Sequence, residues 1–162
     1  MTLALICCGG TIDTVYTNDA GFHGIGEPAA VEAFVRAGVV APTITSLIRK
    51  DSKDMDDADR ASVVAAVHSC SATQVIVTHG TDTMAQTACA VASSIKEKTV
   101  VFVGAFLPAA CKNSDADFNL GFALAAVQTL PAGVYIAMNG RLLPATAAVK
   151  NYAAGRFEMA KN

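Results

Sequence analysis

The sequence predicts an α/β fold, a three-layer domain with a mostly parallel sheet, because short apolar runs alternate along the chain with amphipathic segments of helix length. Hydrophobic residues make up 52% of the chain and charged residues 16%, Ala and Val are abundant, and Trp is absent. Strands buried on both faces of a parallel sheet have this composition. At 162 residues, a single domain over positions 1–162 is expected to bury its own core without disulfides or metals.

Five apolar runs are predicted to be strands. They are Leu3–Cys8, Thr43–Ile48, Gln74–Thr78, Thr99–Val103 and Val134–Met138. The third run is nearly all β-branched, which favours a strand. Asn139-Gly140 follows the fifth run and is the strongest short hairpin signal in the chain, so the backbone is expected to turn back there toward Lys150.

Four helices are predicted between these strands. They cover Glu27–Ala37, a segment capped by Asp56 or Asp57 that runs to about Ser71, a segment after Thr83 that runs through Ala92, and Asp117–Leu130. Pro28 in the first turn and Gly38 after the last residue are typical boundaries for the first of them. The polar, Gly-containing stretch between Thr11 and Gly26 is expected to form a flap after the first strand.

Charge and cysteine content exclude several classes of function. The formal net charge of -2, without a Lys or Arg run, argues against a nucleic-acid-binding protein. The apolar start Leu3–Cys8 is too short for a signal peptide or a membrane span, so a cytoplasmic protein is expected. Five cysteines without metal-type spacing are expected to be reduced, mostly buried thiols, and no cofactor or metal is expected. These cysteines are Cys7, Cys8, Cys70, Cys89 and Cys111.

Ligands of open α/β sheets bind beyond the carboxyl ends of the strands, so polar residues in those loops are the candidates for chemistry. The first four such loops carry Thr11, then Asp51, Ser52 and Lys53, then Thr81 and Asp82, then Gly104 and Ala105. Hydroxyl, carboxylate and ammonium groups without a thiol–imidazole pair favour a hydroxyl nucleophile assisted by a Lys or Tyr base. Of the three histidines, His68 falls in a helix pattern, and His79 is interpreted as a structural hydrogen bonder.

The two Gly-Thr sequences at strand ends offer an alternative, because Gly-rich turns that open helices can cradle phosphate. Neither GxGxxG nor GxxxxGKT is present, and Asp82 would repel a phosphate. Thr11 and Thr81 also have a purely structural alternative as helix caps.

Two segments identify a resemblance to a known family. Cys8-Gly9-Gly10-Thr11-Ile12 resembles the GGTI signature of the bacterial-type L-asparaginases, and Val77–Met84 contains their second signature, HGTDTM. Val103-Gly104-Ala105 with Pro108, and the segment Ser114–Leu120, are similar to the family's GAMRP loop and its SxDxxxNL helix start. The chain resembles the N-terminal domain of these enzymes over nearly its whole length.

The resemblance implies hydrolysis of L-asparagine to L-aspartate and ammonia, with Thr11 as the nucleophile that attacks the amide carbon. Thr81, Asp82 and Lys150 would form a second catalytic cluster, in which Lys150 matches by its spacing from Met138-Asn139. Asp82 would also hold the α-ammonium group of the substrate. Further substrate contacts are assigned to Ser52, Lys53, Gly80 and Ala105, and backbone amides at Gly10-Thr11 and Gly104-Ala105 would stabilise the oxyanion.

The sequence also departs from the family pattern. Tyr16 is our candidate for the catalytic flap tyrosine, because Phe22 stands where some relatives have tyrosine, and Leu107 replaces the Arg of GAMRP. Full-length members carry a C-terminal domain that contributes to a neighbour's site, so one wall is expected to be missing, rebuilt by another subunit or left open. A homo-oligomer is therefore expected, without membrane or nucleic-acid partners.

Two other functions stay open at this point. The chain could be a non-catalytic amino-acid-binding or regulatory module, although retention of Thr11, Thr81, Asp82 and Lys150 argues against decay. It could also be an amidohydrolase for glutamine or another amide, because one methylene changes binding by about 1–3 kcal/mol and pocket shape decides between such substrates.

Overall fold

A computed structural model of the chain describes residues 2–16, 23–40 and 42–160 and confirms the α/β fold. The strands are β1 (Leu3–Gly9), β2 (Thr14–Tyr16), β3 (His23–Ile25), β4 (Thr43–Lys50), β5 (Gln74–Thr78), β6 (Thr99–Val103), β7 (Gly133–Met138), β8 (Arg141–Pro144), β9 (Ala148–Asn151) and β10 (Arg156–Met159). The helices are α1 (Ala29–Arg36), α2 (Asp57–Ser69), α3 (Met84–Ser94) and α4 (Ala116–Thr129). Short 3₁₀ segments lie at Thr11–Asp13, Ser52–Asp54 and Ala145–Ala147.

Six strands form the main sheet in the order β4-β1-β5-β6-β7-β8, and every neighbouring pair is parallel except β7 and β8. Helix α2 packs beside α3, and α1 lies beside α4, where Arg36 pairs with Asp117. Strand β6 is buried along its whole length, as expected for an apolar strand covered on both faces. The buried apolar side chains form one continuous cluster around this sheet.

The predicted elements are confirmed with shifts of one or two residues at most ends, and the structure adds two hairpins. Strand β4 continues to Lys50 because Gly9 pairs with Lys50, after an irregularity in which two steps along β1, from Cys7 to Gly9, match four steps along β4. The predicted hairpin joins β7 to β8, and both Asn139 (φ 56°) and Gly140 (φ 68°) adopt the left-handed backbone of a type I′ turn. The hairpins β2–β3 and β9–β10 were not predicted as strand pairs.

The cysteines are all free thiols. Cys7 and Cys8 are buried in β1, whereas the other three are partly exposed, so the expectation of mostly buried thiols holds for two of the five. Burial raises the pKa of the Cys7 thiol to about 12, which leaves it protonated and unreactive at neutral pH. Over the described part of the chain, each helix is too short or too polar to cross a membrane.

Helix α2 begins with a capping box. The Asp56 carboxylate accepts a hydrogen bond from the Asp59 amide at 2.9 Å, and the Asp59 carboxylate accepts one from the Asp56 amide at 3.1 Å. We expect Asp56→Ala to lower the free energy of unfolding by about 1 kcal/mol, because the first turn loses a side-chain partner. Urea denaturation measures this change.

Asp57→Ala is the matched control. The Asp57 side chain is fully exposed and pairs with Arg60 at the surface, so its loss should change stability by less than about 0.5 kcal/mol. Equal losses in the two variants would mean that negative charge near the helix start, rather than the cap, stabilises α2.

Candidate active site

Close packing of two glycines brings the loops after β1 and β5 together. These strands are neighbours, with Cys7 opposite Thr78, so both loops leave the same edge of the sheet. A Cβ built on Gly10 would lie 2.3 Å from the Gly80 Cα, and Gly10 has φ 88°. Only glycine permits this contact and this backbone. The next residue after each glycine is a threonine, Thr11 in one loop and Thr81 in the other.

Ser52 ties the loop after β4 to the same point. Its side chain is 1% exposed, and its hydroxyl oxygen accepts hydrogen bonds from the amides of Asp82 at 3.2 Å and Thr83 at 3.3 Å. The Thr83 hydroxyl donates in return to the Ser52 carbonyl at 2.8 Å. The predicted substrate-binding residue Ser52 therefore has a structural task, since it holds Asp82 at the start of α3.

Lys150 reaches the Thr81–Asp82 loop from β9. Its Nζ donates hydrogen bonds to the Thr81 Oγ1 at 2.8 Å and to the Asp82 Oδ1 at 2.6 Å. The side chains of Lys150 and Asp82 are 13% and 18% exposed, so water screens this ion pair less than one at the surface. A hydroxyl, an amine and a carboxylate thus form one hydrogen-bonded cluster, which we call the Thr81–Asp82–Lys150 cluster.

The charged form of Asp82 is favoured in this cluster. Partial burial raises the pKa of the Asp82 carboxyl, but the hydrogen bond and the charge of Lys150 outweigh it, so that the pKa is lowered overall. Lys53 contributes a second positive charge, since its Nζ lies 3.5 Å from the Asp82 Oδ2. The structure therefore brings the predicted residue Lys53 to the cluster as an exposed partner, with 70% of its side chain accessible.

His79 is a structural residue, as its interpretation from sequence proposed. The ring is completely buried, and Nδ1 lies 2.8 Å from the Gly80 carbonyl oxygen, so Nδ1 carries the proton and donates it. Burial lowers the pKa of His79 to about 4. The neutral ring supports the glycine turn from below, and no charge from His79 enters the site at neutral pH.

The segment that matches the SxDxxxNL signature holds the loop after β6. The Asp115 carboxylate accepts hydrogen bonds from the amides of Phe106 at 2.9 Å and Leu107 at 3.0 Å, and from the Asn119 side chain at 2.8 Å. Asn119 also donates to the Gly104 carbonyl at 3.1 Å. The residues of this motif thus have a structural role, because they fix the backbone of the loop that carries the predicted binding residue Ala105.

Two of the four amides considered for the oxyanion have partners within the protein. The Gly10 amide donates to the Lys50 carbonyl at 3.0 Å, and the Gly104 amide points to the Met138 sulfur at 3.3 Å. The neighbouring amides of Thr11 and Ala105 stay candidates for stabilising a developing negative charge.

The helix-cap alternative does not apply to either threonine. Gly10 is the N-cap of the 3₁₀ segment that contains Thr11, and Thr83, not Thr81, is the N-cap of α3. Tyr16 ends β2 opposite His23 and is 62% exposed. Phe22, the position weighed against Tyr16, lies outside the described residues.

Asp13 is a buried carboxyl that sequence reasoning missed. It is 3% exposed, and its Oδ1 accepts a hydrogen bond from the Ala29 amide at the start of α1 at 2.8 Å. Burial raises the pKa of Asp13 to about 6, although this hydrogen bond and the charge of Arg49 act in the opposite direction. Asp13 therefore links the Thr11 segment to α1.

A groove of about 840 Å³ lies on the far side of this segment, between the β2–β3 hairpin and α1. Its lining includes Asp13, Pro28 and Arg36 but neither Thr81 nor Lys150. The Thr81–Asp82–Lys150 cluster lies outside this groove.

Comparison with known proteins gives a consistent result. The family model described as "Asparaginase, N-terminal" matches residues 2–159. A probable periplasmic L-asparaginase of Haemophilus influenzae is 36% identical over 105 residues, which make up 61% of this chain and 30% of that protein.

Solved structures agree with the sequence matches. The thermostable L-asparaginase from Thermococcus kodakarensis superposes with a TM-score of 0.86 at 27% identity, over 98% of this chain and 51% of that one. A probable cytoplasmic L-asparaginase from Campylobacter jejuni gives a TM-score of 0.78 at 26% identity, with the same coverage. The chain spans about half the length of these two structures and 30% of the Haemophilus relative.

The contact between Ser52 and Gly80 predicts a stability effect. A Cβ on Gly80 would lie 2.7 Å from both the Cβ and the Oγ of Ser52, so we expect Gly80→Ala to lower the free energy of unfolding by about 1–3 kcal/mol. Gly121→Ala is the control, because a Cβ there meets no atom within 4 Å and alanine favours the helix. Denaturant unfolding of both variants measures the difference, and an unchanged Gly80→Ala would show that the loops move apart freely.

Asp13 and His79 predict opposite effects of pH on stability. Because the pKa of Asp13 is raised to about 6, the contribution of Asp13 to the free energy of unfolding falls as pH rises from about 4 to 6. Because the pKa of His79 is lowered to about 4, the contribution of His79 to the free energy of unfolding rises with pH between about 4 and 6.5. We therefore expect Asp13→Asn to make unfolding free energy climb more steeply with pH than in the wild type.

Denaturant titrations at pH 4, 5, 6 and 7 measure this slope. The displacement of the Asp13 pKa corresponds to about 3 kcal/mol between the ends of the range. The exposed Asp57→Asn variant should run parallel to the wild type. A parallel curve for Asp13→Asn as well would mean that the Asp13 carboxyl titrates normally in the folded protein.

Proposed function

We propose, because this chain belongs to the asparaginase family through that family's N-terminal domain, that it hydrolyses the side-chain amide of L-asparagine with Thr11 as the nucleophile. The observation that carries the proposal is the Thr81–Asp82–Lys150 cluster, in which Lys150 lies 2.8 Å from a threonine hydroxyl. The packing of Gly10 on Gly80 holds the Thr11 loop against this cluster.

The reaction has two stages in this proposal. The Thr11 hydroxyl oxygen attacks the amide carbon and loses its proton to a base, and the carbonyl oxygen becomes an oxyanion. The intermediate collapses as the amide nitrogen takes up a proton, so the carbon–nitrogen bond breaks and ammonia leaves. Water then attacks the ester on Thr11, which releases L-aspartate and restores the hydroxyl. No cofactor takes part in either stage.

Lys150 acts as the base in this scheme, with Thr81 and Asp82 as its partners. A lysine can accept a proton only while its amine is neutral, so Lys150 has to give up a proton before the attack. The Asp82 carboxylate orients the amine at 2.6 Å, and the Thr81 hydroxyl accepts a second hydrogen bond from it at 2.8 Å. Asp82 also binds the α-ammonium group of the substrate, for which its favoured negative charge is suited.

An open site would catalyse poorly, because water weakens the electrostatic contacts within it. Lys53 is largely exposed beside Asp82, which supports a site that another chain completes. We therefore propose a homo-oligomer, in which a second copy covers the exposed side. A cytoplasmic location and a preference for L-asparagine over glutamine belong to the same proposal.

Substitution of Thr11 and Lys150 tests the chemistry. Thr11→Ala should abolish ammonia release and leave the fold and much of the aspartate binding intact, because it removes the nucleophile and few substrate contacts. Lys150→Met should lower kcat by about 10²–10⁴-fold through loss of the base. Thr129→Ala and Lys96→Met, on exposed residues outside the site, are the matched controls. Ammonia release is measured with L-asparagine, D-asparagine and L-glutamine.

Asp82→Ala in the same assay should weaken substrate binding as well as the rate, because the carboxylate is assigned to both tasks. Near-normal turnover by Thr11→Ala would refute the nucleophile assignment and make Thr81 the next candidate. A wild type that releases no ammonia from any amide, yet gains thermal stability with L-aspartate or L-asparagine, would favour a non-catalytic binding module.

A further inference from the structure

Two aromatic rings flank the Lys150 ammonium group. Its Nζ lies 5.3 Å from the centre of the Phe106 ring and 4.7 Å from the centre of the Tyr152 ring. A cation within about 6 Å of a ring centre is attracted by the negative face of the ring. The Phe106 ring packs against the buried Phe157 ring, with ring centres 6.3 Å apart, and this contact restricts the movement of Phe106 beside the lysine.

Tyr152 supplies the second ring and differs from Phe106 in exposure. It lies in the turn between β9 and β10, two residues after Lys150, and is 68% exposed. Asn151 holds this turn, because its side chain donates to Glu158 at 2.8 Å and accepts from the Ala154 amide at 3.0 Å. The backbone under Tyr152 is therefore fixed although its side chain faces solvent.

Tyr152 also interacts with the other charged member of the cluster. Its hydroxyl contributes to lowering the pKa of Asp82, behind the larger effects of burial and Lys150. The pKa of Tyr152 is raised in turn, by desolvation first and then by the Asp82 carboxylate. The ring of Tyr152 therefore lies beside the ammonium group of the ion pair, and its hydroxyl interacts electrostatically with the carboxylate.

We propose that Tyr152 is a positioning residue of this site, which holds Asp82 and Lys150 in register through its hydroxyl and its ring. The inference rests on the proposed function for its effect on turnover. Tyr152 is a different tyrosine from the flap candidate Tyr16. Its ring attracts the Lys150 ammonium group, which a hydroxyl alone would not do.

The competing lysine explains why such a residue is needed. The two Asp82 oxygens face different ammonium groups, Lys150 at 2.6 Å and the exposed Lys53 at 3.5 Å. Rotation of the carboxylate toward Lys53 would release Lys150 from its orienting partner. Tyr152 opposes that rotation, because its hydroxyl interacts with the carboxylate while its ring keeps the Lys150 ammonium in place.

Kinetic comparison of two variants separates the hydroxyl from the ring. Tyr152→Phe keeps the ring, and we expect kcat for L-asparagine to fall about three- to tenfold. Tyr152→Leu removes both groups, and kcat should fall further, by more than about tenfold. Phe118→Leu is the control, because Phe118 is likewise an exposed aromatic residue, 63% accessible, and stacks on Phe122 in α4. Its kcat should match the wild type.

A spectroscopic readout tests the contact without turnover. The chain has three tyrosines, so ¹³Cζ-labelled tyrosine gives three resonances, and the one missing in Tyr152→Phe is that of Tyr152. We expect its titration midpoint to shift down in Asp82→Asn, because the carboxylate that disfavours the phenolate is gone. Asp57→Asn, at a fully exposed carboxylate in α2, should leave it unchanged.

The two readouts separate the possible failures. A Tyr152 midpoint that ignores Asp82→Asn, or a kcat of Tyr152→Leu equal to that of Phe118→Leu, would overturn the positioning role. A higher kcat in Tyr152→Phe would overturn it too, since the hydroxyl would then compete with the substrate for Asp82. A wild type without ammonia release would refute the proposed function, and the tyrosine titration would then decide whether Tyr152 holds Asp82.

Discussion

The contact between Gly10 and Gly80 is the constraint on which the rest of the site depends. Parallel neighbouring strands deliver their loops to the same edge, but side chains normally keep two such loops apart by several ångströms. Here a single Cβ on Gly10 would reach to 2.3 Å from the Gly80 Cα, so the backbones meet directly. The threonine that follows each glycine is consequently held in place by the packing of its loop, and no flexible side chain separates the two loops.

Hydrogen bonds from polar side chains then hold the loops around this contact. Ser52 satisfies the amides of Asp82 and Thr83 from one side, and His79 donates to the Gly80 carbonyl from below. On the third side, Asp115 satisfies the amides of the loop after β6. Each of these groups forms a hydrogen bond that a backbone group of the loop would otherwise make with water. Because the partners belong to the protein, the loops keep one geometry at the sheet edge. The catalytic proposal relies on that preorganisation.

Charge at the cluster follows from the same framework. Asp82 sits where α3 begins, partly withdrawn from water, and Lys150 approaches from a hairpin beyond the end of the main sheet. The cost of withdrawing both charges from water offsets much of their attraction, so we relate the geometry of this ion pair to the proposed function and not to stability. The rings of Phe106 and Tyr152 lie beside the Lys150 ammonium group and limit its positions, whereas the side chains of a solvated surface pair move freely.

The sequence by itself determined the order of the main strands and helices, and their ends to within one or two residues, because periodicity, caps and the Asn139-Gly140 turn are local signals. It also identified Thr11, Thr81, Asp82 and Lys150 as candidates. The tertiary structure decided which groups meet. Lys150 lies 69 positions from Thr81, and no local pattern shows that a ring two residues further on flanks its ammonium group. The resemblance likewise assigned Ser52 to the substrate, and the structure shows in addition that its hydroxyl accepts hydrogen bonds from backbone amides 30 and 31 positions away. Contacts between distant segments depend on how the sheet edge is assembled, and that assembly is a property of the whole core.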